Sequence, residues 1–190
     1  VPGCIANGIS EEIANKIYDE MTDFAKYAFN KSHAAAYAVV SYQTAYLKYY
    51  YPVEFMAALM TSVVEMPNKV AEYISVCRQM GIQILPPDIN RGMYGFSVDK
   101  GAIRYALSAI KSIGRPVIEG IVREREEHGE YTSLKTFVER NINQINKRVV
   151  ENLIKAGALD CLEGNRKQKM FIRKSSTVLT RIRNIQWQGR

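Results

Sequence analysis

The chain has 190 residues, of which 47% are hydrophobic and 24% are charged, and its formal net charge is +7. That hydrophobic fraction is enough to build a core in one large domain or two small ones. The sequence has no run of 18 apolar residues and no leader that combines basic and apolar residues, so we expect a soluble, cytoplasmic protein with no membrane partner. Because it opens at Val1 without a methionine, we also expect a segment of a longer protein.

The positive charge is concentrated at the C-terminal end. Residues 171–190 contain five basic residues and no acidic residue, so residues 1–170 hold the other 21 basic and all 19 acidic residues, a net charge of +2. This near-neutral balance excludes a global positive field around residues 1–170. Any contact of this region with nucleic acid must come from local patches and backbone amides.

The cysteines and histidines show no metal-binding or disulfide pattern. The three cysteines are far apart, only two histidines are present, and neither CxxC nor HxxxH spacing occurs. We therefore expect no zinc site, no disulfide framework and a reducing compartment. The thiols are predicted to be buried: Cys4, Cys77 and Cys161.

The first long helix is predicted to begin after Ser10, since Glu11 and Glu12 would place carboxylates in its first turn. It is expected to end near Tyr27. Apolar residues recur between these limits at helical spacing: Ile13, Ile17, Met21 and Phe24.

A second helix is predicted over residues 29–51, which contain no Gly or Pro before Pro52. Most of its surface would be apolar or small, so the pattern predicts a buried helix. At its N-terminus Asn30, Lys31, Ser32 and His33 form a polar group, where unpaired amides and the helix dipole favour an anion such as phosphate. The alternative is that Ser32 is only an N-cap, Lys31 is solvated and His33 is partly buried.

Two further helices are predicted before the segment with β-strand character. Pro52 opens one that extends to residue 64, and another fits residues 68–80 with Gly81 past its end. A cluster of tyrosines precedes Pro52 and is predicted to form the rim of a helix contact rather than a platform for stacking bases: Tyr46, Tyr49 and Tyr50.

Residues 83–85 and the following Pro86-Pro87 are interpreted as a crossing linker, which places a domain boundary at residues 82–95. A β-hairpin is predicted next, because alternating residues 95–98 and 102–105 flank the turn sequence Asp99-Lys100-Gly101. These are the only convincing strands in the sequence.

The second half contains two similar arrangements of a helix, a tight turn and a helix. In the first, the apolar run 107–110 leads into the turn 111–114, and Arg115-Pro116 opens a helix to residue 127. This order is typical of the helix-hairpin-helix motif, whose turn amides and following helix N-terminus face one DNA phosphate. Gly114 would permit that close approach, with Lys111 and Arg115 as flanking charges.

In the second arrangement, Asn146 caps a helix over residues 147–154, the turn 155–159 follows, and residues 165–169 are basic. A helix over residues 132–140 joins the two. Asp160 and Glu163 disfavour a phosphate at the second turn, so it is interpreted as the weaker contact. The mixed-charge run 123–127 is expected to be a solvated helix face, and His128 is assigned no chemistry.

Three stretches carry a resemblance to a known family: FAKYAFNKSHAAAYAVVSYQTAYLKYYYPVEFMAALM, ILPPDIN and GAIRYALSAIKSIG. They are similar to the α subunits of bacterial DNA polymerase III, the C-family replicative polymerases, in the form without an inserted exonuclease. The resemblance extends to about Met170 and implies a mainly α fold. It implies a helical fingers segment in residues 1–85, followed by a small β-hairpin and a tandem helix-hairpin-helix domain in residues 86–170.

The resemblance also implies roles for individual residues. The incoming nucleotide's triphosphate and sugar would be bound by Lys31, Ser32, His33 and Tyr37. Duplex DNA would be bound by Lys111, Ser112, Gly114, Arg115, Lys155 and Gly157. The expected partners are primer-template DNA, a deoxynucleoside triphosphate, the rest of the polymerase chain and other replisome subunits.

Catalysis is not expected from this chain alone. Polymerisation requires paired metal-binding carboxylates, and the acids here are scattered among caps and turns. In the family these aspartates and their Mg²⁺ belong to the palm, which precedes this segment. We therefore expect no cofactor or metal in this chain and no nucleotidyltransferase activity by itself.

Two alternatives remain open at this stage. Residues 95–170 could bind duplex DNA in a stand-alone module whose residues 9–80 form a protein-interaction platform, or the chain could be purely structural. The tail 171–190 lacks acids and any family resemblance. Because codons can be chosen that encode a family-like sequence in another reading frame, we predict that a frameshift produced it.

Overall fold

The computed structural model describes residues 1–27 and 31–175, so the predicted frameshifted tail lies largely outside the described residues. The chain divides into two compact units, with the division between Tyr50 and Tyr51.

The first unit is helical. Its elements are α1 (Pro2–Ala6), α2 (Glu11–Tyr27) and α3 (Lys31–Tyr50). The predicted start of α2 is confirmed, and the Ser10 hydroxyl accepts a hydrogen bond of 3.4 Å from the Ile13 amide. The helix continues to Tyr27, the last described residue before the gap at residues 28–30. Within the described part of this unit only Ala14 is buried.

The prediction that α3 is a buried helix is wrong for this unit. None of its residues is buried by the described chain, and Tyr37, Val39 and Tyr42 are each more than half exposed. The tyrosines contact one another along the helix instead, with ring centroids 4.5 Å apart for Tyr46 and Tyr50. The sequence pattern identified an apolar helix correctly, but the described part of this unit holds no element that covers it.

The second unit combines helices with three short strands. The helices are α4 (Pro52–Ser62), α5 (Pro67–Gln79), α6 (Arg115–His128), α7 (Leu134–Arg140), α8 (Lys147–Ala156) and α9 (Arg166–Ser175). The strands are β1 (Ile84–Leu85), β2 (Ser97–Asp99) and β3 (Ala102–Arg104). The mainly α fold with a β-hairpin is therefore confirmed. No helix in the described ranges is long and apolar enough to cross a membrane.

The sheet corrects one prediction about the linker. Residues 84 and 85 form β1, which pairs in parallel with β3, while β2 pairs with β3 as the predicted hairpin. The hairpin turn places Lys100 and Gly101 at φ +52° and +80°, a conformation that glycine adopts without strain.

The predicted domain boundary at residues 82–95 falls inside this second unit. One hydrophobic cluster joins α4 and α5 to the sheet through Met56, Met60, Cys77 and Ile103. As a functional division between residues 85 and 86 the boundary stays a prediction. Cys77 is buried as expected, whereas Cys161 is exposed and Cys4 is only partly buried, so the prediction of three buried thiols is wrong.

A larger core lies among α6, α7 and α8 and supports both helical turns of the second half. Its fully buried members include Ile121, Phe137 and Leu153. The segment that follows β1 is tied to this core by Arg125, whose guanidinium donates to the carbonyls of Ile89 (3.0 Å) and Gly92 (2.9 Å). Arg125 therefore does not belong to a purely solvated helix face.

Candidate nucleic-acid interface

The first turn of the second half lies on the surface between a short 3-10 helix, Leu107–Ala109, and α6. The predicted apolar run before the turn thus forms a single helical turn. Ser112 has φ +63°, which brings the chain sharply round toward α6. We call residues 111–115 the first hairpin.

Three backbone amides of the first hairpin belong to exposed residues and have no described acceptor, those of residues 112, 114 and 115. Ile113, between them, is buried. The Gly114 carbonyl already accepts from the amides of Val117 and Ile118, so α6 begins immediately after this group. Free amides at the positive end of a helix are an anion-binding arrangement.

The protein itself gives no steric reason for glycine at position 114. Its φ is −74°, and a Cβ there would find Pro116 Cδ at 3.8 Å as its nearest described neighbour. Glycine's freedom at positive φ is therefore not used here. The absence of a side chain instead leaves room for an external group to approach the amides.

The charged residues of the first hairpin differ in their surroundings. Arg115 Nε lies 2.7 Å from Glu119 Oε1, and its guanidinium lies 4.8 Å from the centre of the Tyr94 ring. The Lys111 side chain is exposed, while its backbone carbonyl accepts a 2.8 Å hydrogen bond from the side-chain amide of Asn152 in α8. Asn152, which the sequence pattern did not single out, therefore holds the first hairpin against α8.

The second turn, residues 155–160, is here called the second hairpin, and its glycine has a structural role. The predicted cap Asn146 is confirmed at the start of α8, and Gly157 ends that helix at φ +84°. Gly157 is buried, and its amide donates to the Ile154 carbonyl. A Cβ at this position would lie 2.3 Å from Nη2 of Arg166.

The Arg166 side chain covers Gly157 and pairs with Asp160 in the second hairpin. Its Nε donates to both carboxylate oxygens of Asp160 at 2.9 Å. The hydrogen bonds from Arg166 and its positive charge lower the pKa of the Asp160 carboxyl below its usual value. Asp160 of the second hairpin thus pairs with a cation from the same chain.

A buried lysine in α9 donates hydrogen bonds to the backbone at the end of the second hairpin and just after it. Lys169 is 1% exposed, and its Nζ donates to the carbonyls of Leu159 and Leu162 at 2.8 Å each. The sequence indicated only a basic stretch at residues 165–169. Lysine side chains are rarely buried, so nothing in the local pattern distinguished Lys169 from its exposed neighbour Lys167.

Lys155, the charged residue predicted for the second hairpin, is exposed but has an intrahelical partner. Its Nζ lies 2.7 Å from Glu151 Oε1, one turn earlier in α8. A cluster of Glu124, Glu127 and His128 brings three possible metal-ligand atoms within 4.8 Å of one another. Glu124 already lies 3.0 Å from Arg140 Nε, so this cluster is explained as part of an ion-pair network.

The residues predicted for the nucleotide occupy the first turns of α3, in the first unit. Lys31 is the first described residue of α3, so Ser32 lies inside the helix, and the expectation that it caps the helix is wrong. The residue before Lys31 lies outside the described range. The rings of His33 and Tyr37 lie 4.5 Å apart, which brings two of the predicted residues together on one exposed face.

Comparison with known proteins connects these features to a family. A family described as "Helix-hairpin-helix motif" matches residues 81–169, which include both hairpins. DNA polymerase III subunit alpha of Vibrio cholerae is 49% identical over 170 residues, which are 88% of this chain and 15% of that protein. The chain belongs to the DNA polymerase III subunit alpha family.

Two further members of this family give the same result. The Thermus aquaticus subunit is 50% identical over 161 residues, covering 84% of this chain and 13% of that protein. The Escherichia coli subunit is 48% identical over 166 residues, covering 86% of this chain and 14% of that protein. The chain therefore spans 13–15% of the length of these DNA polymerase III alpha subunits.

Proposed function

We propose that this chain is the part of a replicative DNA polymerase that grips primer-template duplex without reading its sequence. The observation that carries the proposal is a group of three backbone amides, at residues 112, 114 and 115, which belong to exposed residues at the start of α6 and have no described acceptor. Backbone amides and a helix N-terminus recognise phosphate oxygens and carry no information about base identity. The family match over residues 81–169 supports the same assignment.

Positive side chains beside the backbone amides strengthen the binding of DNA at the first hairpin. Lys111 and Arg115 flank the amides, and the first turn of α6 contains no acidic residue. Because residues 1–170 carry a net charge of only +2, these two side chains supply much of the attraction for DNA in their neighbourhood. Arg115 would exchange its exposed pairing with Glu119 for a phosphate at little cost, since exposed ion pairs are weak.

Fluorescence anisotropy of a labelled primer-template duplex, titrated with the full 190-residue chain, tests the proposed binding of duplex DNA. The wild-type protein should bind with an affinity that falls as salt rises. Lys111→Ala/Arg115→Ala should bind more weakly and reduce the slope of log K against log salt by about 2, one unit for each lost phosphate contact.

The matched control is Lys135→Ala, which removes an exposed charge from α7. It should leave the affinity close to that of the wild-type protein. Equal loss in the control and the double variant would mean that only net charge matters, and it would contradict a specific site at the first hairpin.

The same proposal assigns the start of α3 to the incoming deoxynucleoside triphosphate. Lys31 and Ser32 offer a cation and a hydroxyl where the helix dipole is positive, and no acidic residue occupies the first turn. His33 and Tyr37, whose ring centroids lie 4.5 Å apart, offer an aromatic surface for the sugar. Such a site would stabilise the triphosphate and its pyrophosphate leaving group, while the carboxylates and Mg²⁺ for the chemistry come from the remainder of the polymerase.

Titration with dATP, followed by the amide NMR signals of residues 31–37, tests the nucleotide assignment. We expect shifts at these residues that are lost in Lys31→Ala/His33→Ala. They should persist in Lys48→Ala, which changes a lysine in the last turn of the same helix. Unchanged signals at residues 31–37 would contradict this part of the proposal without affecting the duplex grip.

A further inference from the structure

Ser112 of the first hairpin has an unusual backbone conformation. Among the described residues other than glycine, positive φ occurs at Lys100 (+52°) and at Ser112 (+63°). Lys100 belongs to the tight turn between β2 and β3, which requires this conformation. No strand pairing explains it at Ser112, and a residue with a Cβ is disfavoured there by roughly 5- to 30-fold. Such strain persists only where the surrounding contacts hold it.

Contacts on both sides of Ser112 hold its conformation. On one side, the Lys111 carbonyl accepts a 2.8 Å hydrogen bond from the side-chain amide of Asn152, 41 positions later in the chain. On the other side, Ile113 is buried in the core among α6, α7 and α8. Ser112 therefore joins two fixed points, and the contact from Asn152 acts on the peptide group to which the Ser112 amide belongs.

The hydrogen bond from Asn152 also fixes the direction of the Ser112 amide. The peptide group between Lys111 and Ser112 is planar and trans, so its carbonyl and its N–H point in opposite directions. Because the carbonyl is directed at Asn152 in α8, the N–H is directed away from α8. Ser112 is exposed and its amide has no described acceptor, so this N–H is presented to a ligand.

We infer that Asn152 is a positioning residue for DNA binding at the first hairpin. It orients the Ser112 amide through the Lys111 carbonyl and contacts no phosphate itself. The inference rests on the duplex binding proposed above. It makes α8 a part of the binding site through one uncharged side chain, although the glycine that ends α8, Gly157, is covered by Arg166.

Packing of the first hairpin against α8 does not depend on Asn152. Ile110 and Ile113, before and within the first hairpin, belong to the same buried cluster as Leu153 and Ile154 of α8. Apolar burial thus holds the two elements together, and the hydrogen bond from Asn152 determines how one peptide group is turned. Asn152→Ala should therefore leave the fold intact, since alanine also favours a helix more than asparagine does.

Backbone 15N relaxation of the full 190-residue chain tests the orientation without DNA. In wild-type protein the Ser112 amide should have an order parameter of about 0.85, typical of rigid backbone, and in Asn152→Ala it should fall below about 0.6. The Ile121 amide in α6 should stay rigid in both proteins. The control is Asn143→Ala, which changes an exposed asparagine after α7 and should leave Ser112 rigid. An unchanged order parameter of Ser112 in Asn152→Ala overturns the inference.

Fluorescence anisotropy with a labelled primer-template duplex tests the link to DNA. Asn152→Ala should bind about fivefold more weakly, because one hydrogen bond of ordinary strength changes an equilibrium about 2- to 12-fold and the strain at Ser112 opposes the binding conformation. Asn143→Ala should bind as the wild-type protein does, and neither substitution changes the net charge. If wild-type protein binds and Asn152→Ala binds equally well, the inference is overturned while duplex binding at the first hairpin stands.

Ser112→Gly separates positioning from a loss of packing. Glycine adopts the left-handed conformation without strain, so Ser112→Gly should restore affinity about threefold in the Asn152→Ala protein and raise it less in the presence of Asn152. A loss of packing would not be relieved by removing a second side chain. Absence of recovery overturns the inference. If wild-type protein binds no duplex, the proposed function fails, and the role of Asn152 in DNA binding fails with it.

Discussion

The two hairpins share an order of elements but use glycine for opposite reasons. Gly114 is exposed, has φ −74° and has no described neighbour closer than 3.8 Å to a built Cβ. Gly157 is buried, has φ +84° and is covered by Arg166. Gly114 leaves space for an external ligand to approach the backbone, and Gly157 provides the positive φ that the end of α8 requires. A repeated motif therefore does not imply a repeated site.

The two hairpins also differ in the hydrogen bonds and ion pairs that their groups make within the chain. Residues 112, 114 and 115 have amides without a described acceptor, whereas Asp160 of the second hairpin pairs with Arg166, and Lys169 donates to the Leu159 carbonyl in that hairpin. Changes at the second hairpin should therefore affect stability, and changes at the first should affect binding. The predictions below test this separation in order of decreasing effect.

Lys169→Ala should have the largest effect on stability. It leaves the buried Leu162 carbonyl without a described donor, at a cost of about 1–3 kcal/mol, and leaves the Leu159 carbonyl with only the Leu162 amide. We expect the free energy of unfolding to fall by about 3 kcal/mol in urea denaturation followed by circular dichroism. Lys167→Ala, on the exposed side of α9, should change it by less than about 0.5 kcal/mol. Equal stability of the two variants would refute the structural role of Lys169.

Gly157→Ala should have the next largest effect. Alanine at this position must keep the left-handed backbone conformation of Gly157, which costs about 1–2 kcal/mol. Its Cβ must also displace the Arg166 guanidinium. Gly101→Ala is the matched control, because Gly101 has φ +80° but no atom within 4 Å of a built Cβ. We expect Gly157→Ala to destabilise the protein more than the control does. The same loss in both would show that Arg166 does not pack over the second hairpin.

Asp160→Asn should have the smallest effect and should depend on pH. Arg166 lowers the folded-state pKa of Asp160 below its ordinary value of 3.8, so the ion pair stabilises the fold above that value and is lost as pH falls through the lowered pKa. Both side chains are about half exposed, which limits the effect at pH 7 to less than about 1 kcal/mol. Urea denaturation should show the variant as less stable at pH 7, with a difference that shrinks as pH falls below 3.8. A difference that persists in acid would exclude the ion pair as its cause.

Features set by local signals could be predicted from the sequence. Glu11 and Glu12 located the start of α2, Asn146 located the cap of α8, and the turn sequence around Lys100 located the hairpin of β2 and β3. In each case the residues that determine the structure lie within a few positions of it.

Features that depend on distant parts of the chain could not be predicted. β1 forms only because β3 lies beside it, and Arg125 binds carbonyls more than 30 positions earlier. The exposure of α3 was missed for a related reason, since apolar composition predicts burial but does not identify the surface that covers a helix. At the candidate site, sequence identified Lys111, Gly114, Lys155 and Gly157, and Asp160 already marked the second turn as the weaker contact. The structure adds the reason that sequence could not supply, which is the Arg166 side chain over Gly157.

A paired measurement on Gly114→Ala and Gly157→Ala tests the central claim most directly, with urea denaturation and duplex anisotropy applied to both proteins under the same conditions. Gly114→Ala should change stability by less than about 0.5 kcal/mol, since its backbone suits alanine, yet bind duplex at least about tenfold more weakly after losing one charge-assisted hydrogen bond. Gly157→Ala should lose stability but, while folded, bind duplex as the wild-type protein does. The reverse pattern, with duplex binding intact in Gly114→Ala and lost in folded Gly157→Ala, would contradict the assignment of the phosphate contact to the first hairpin.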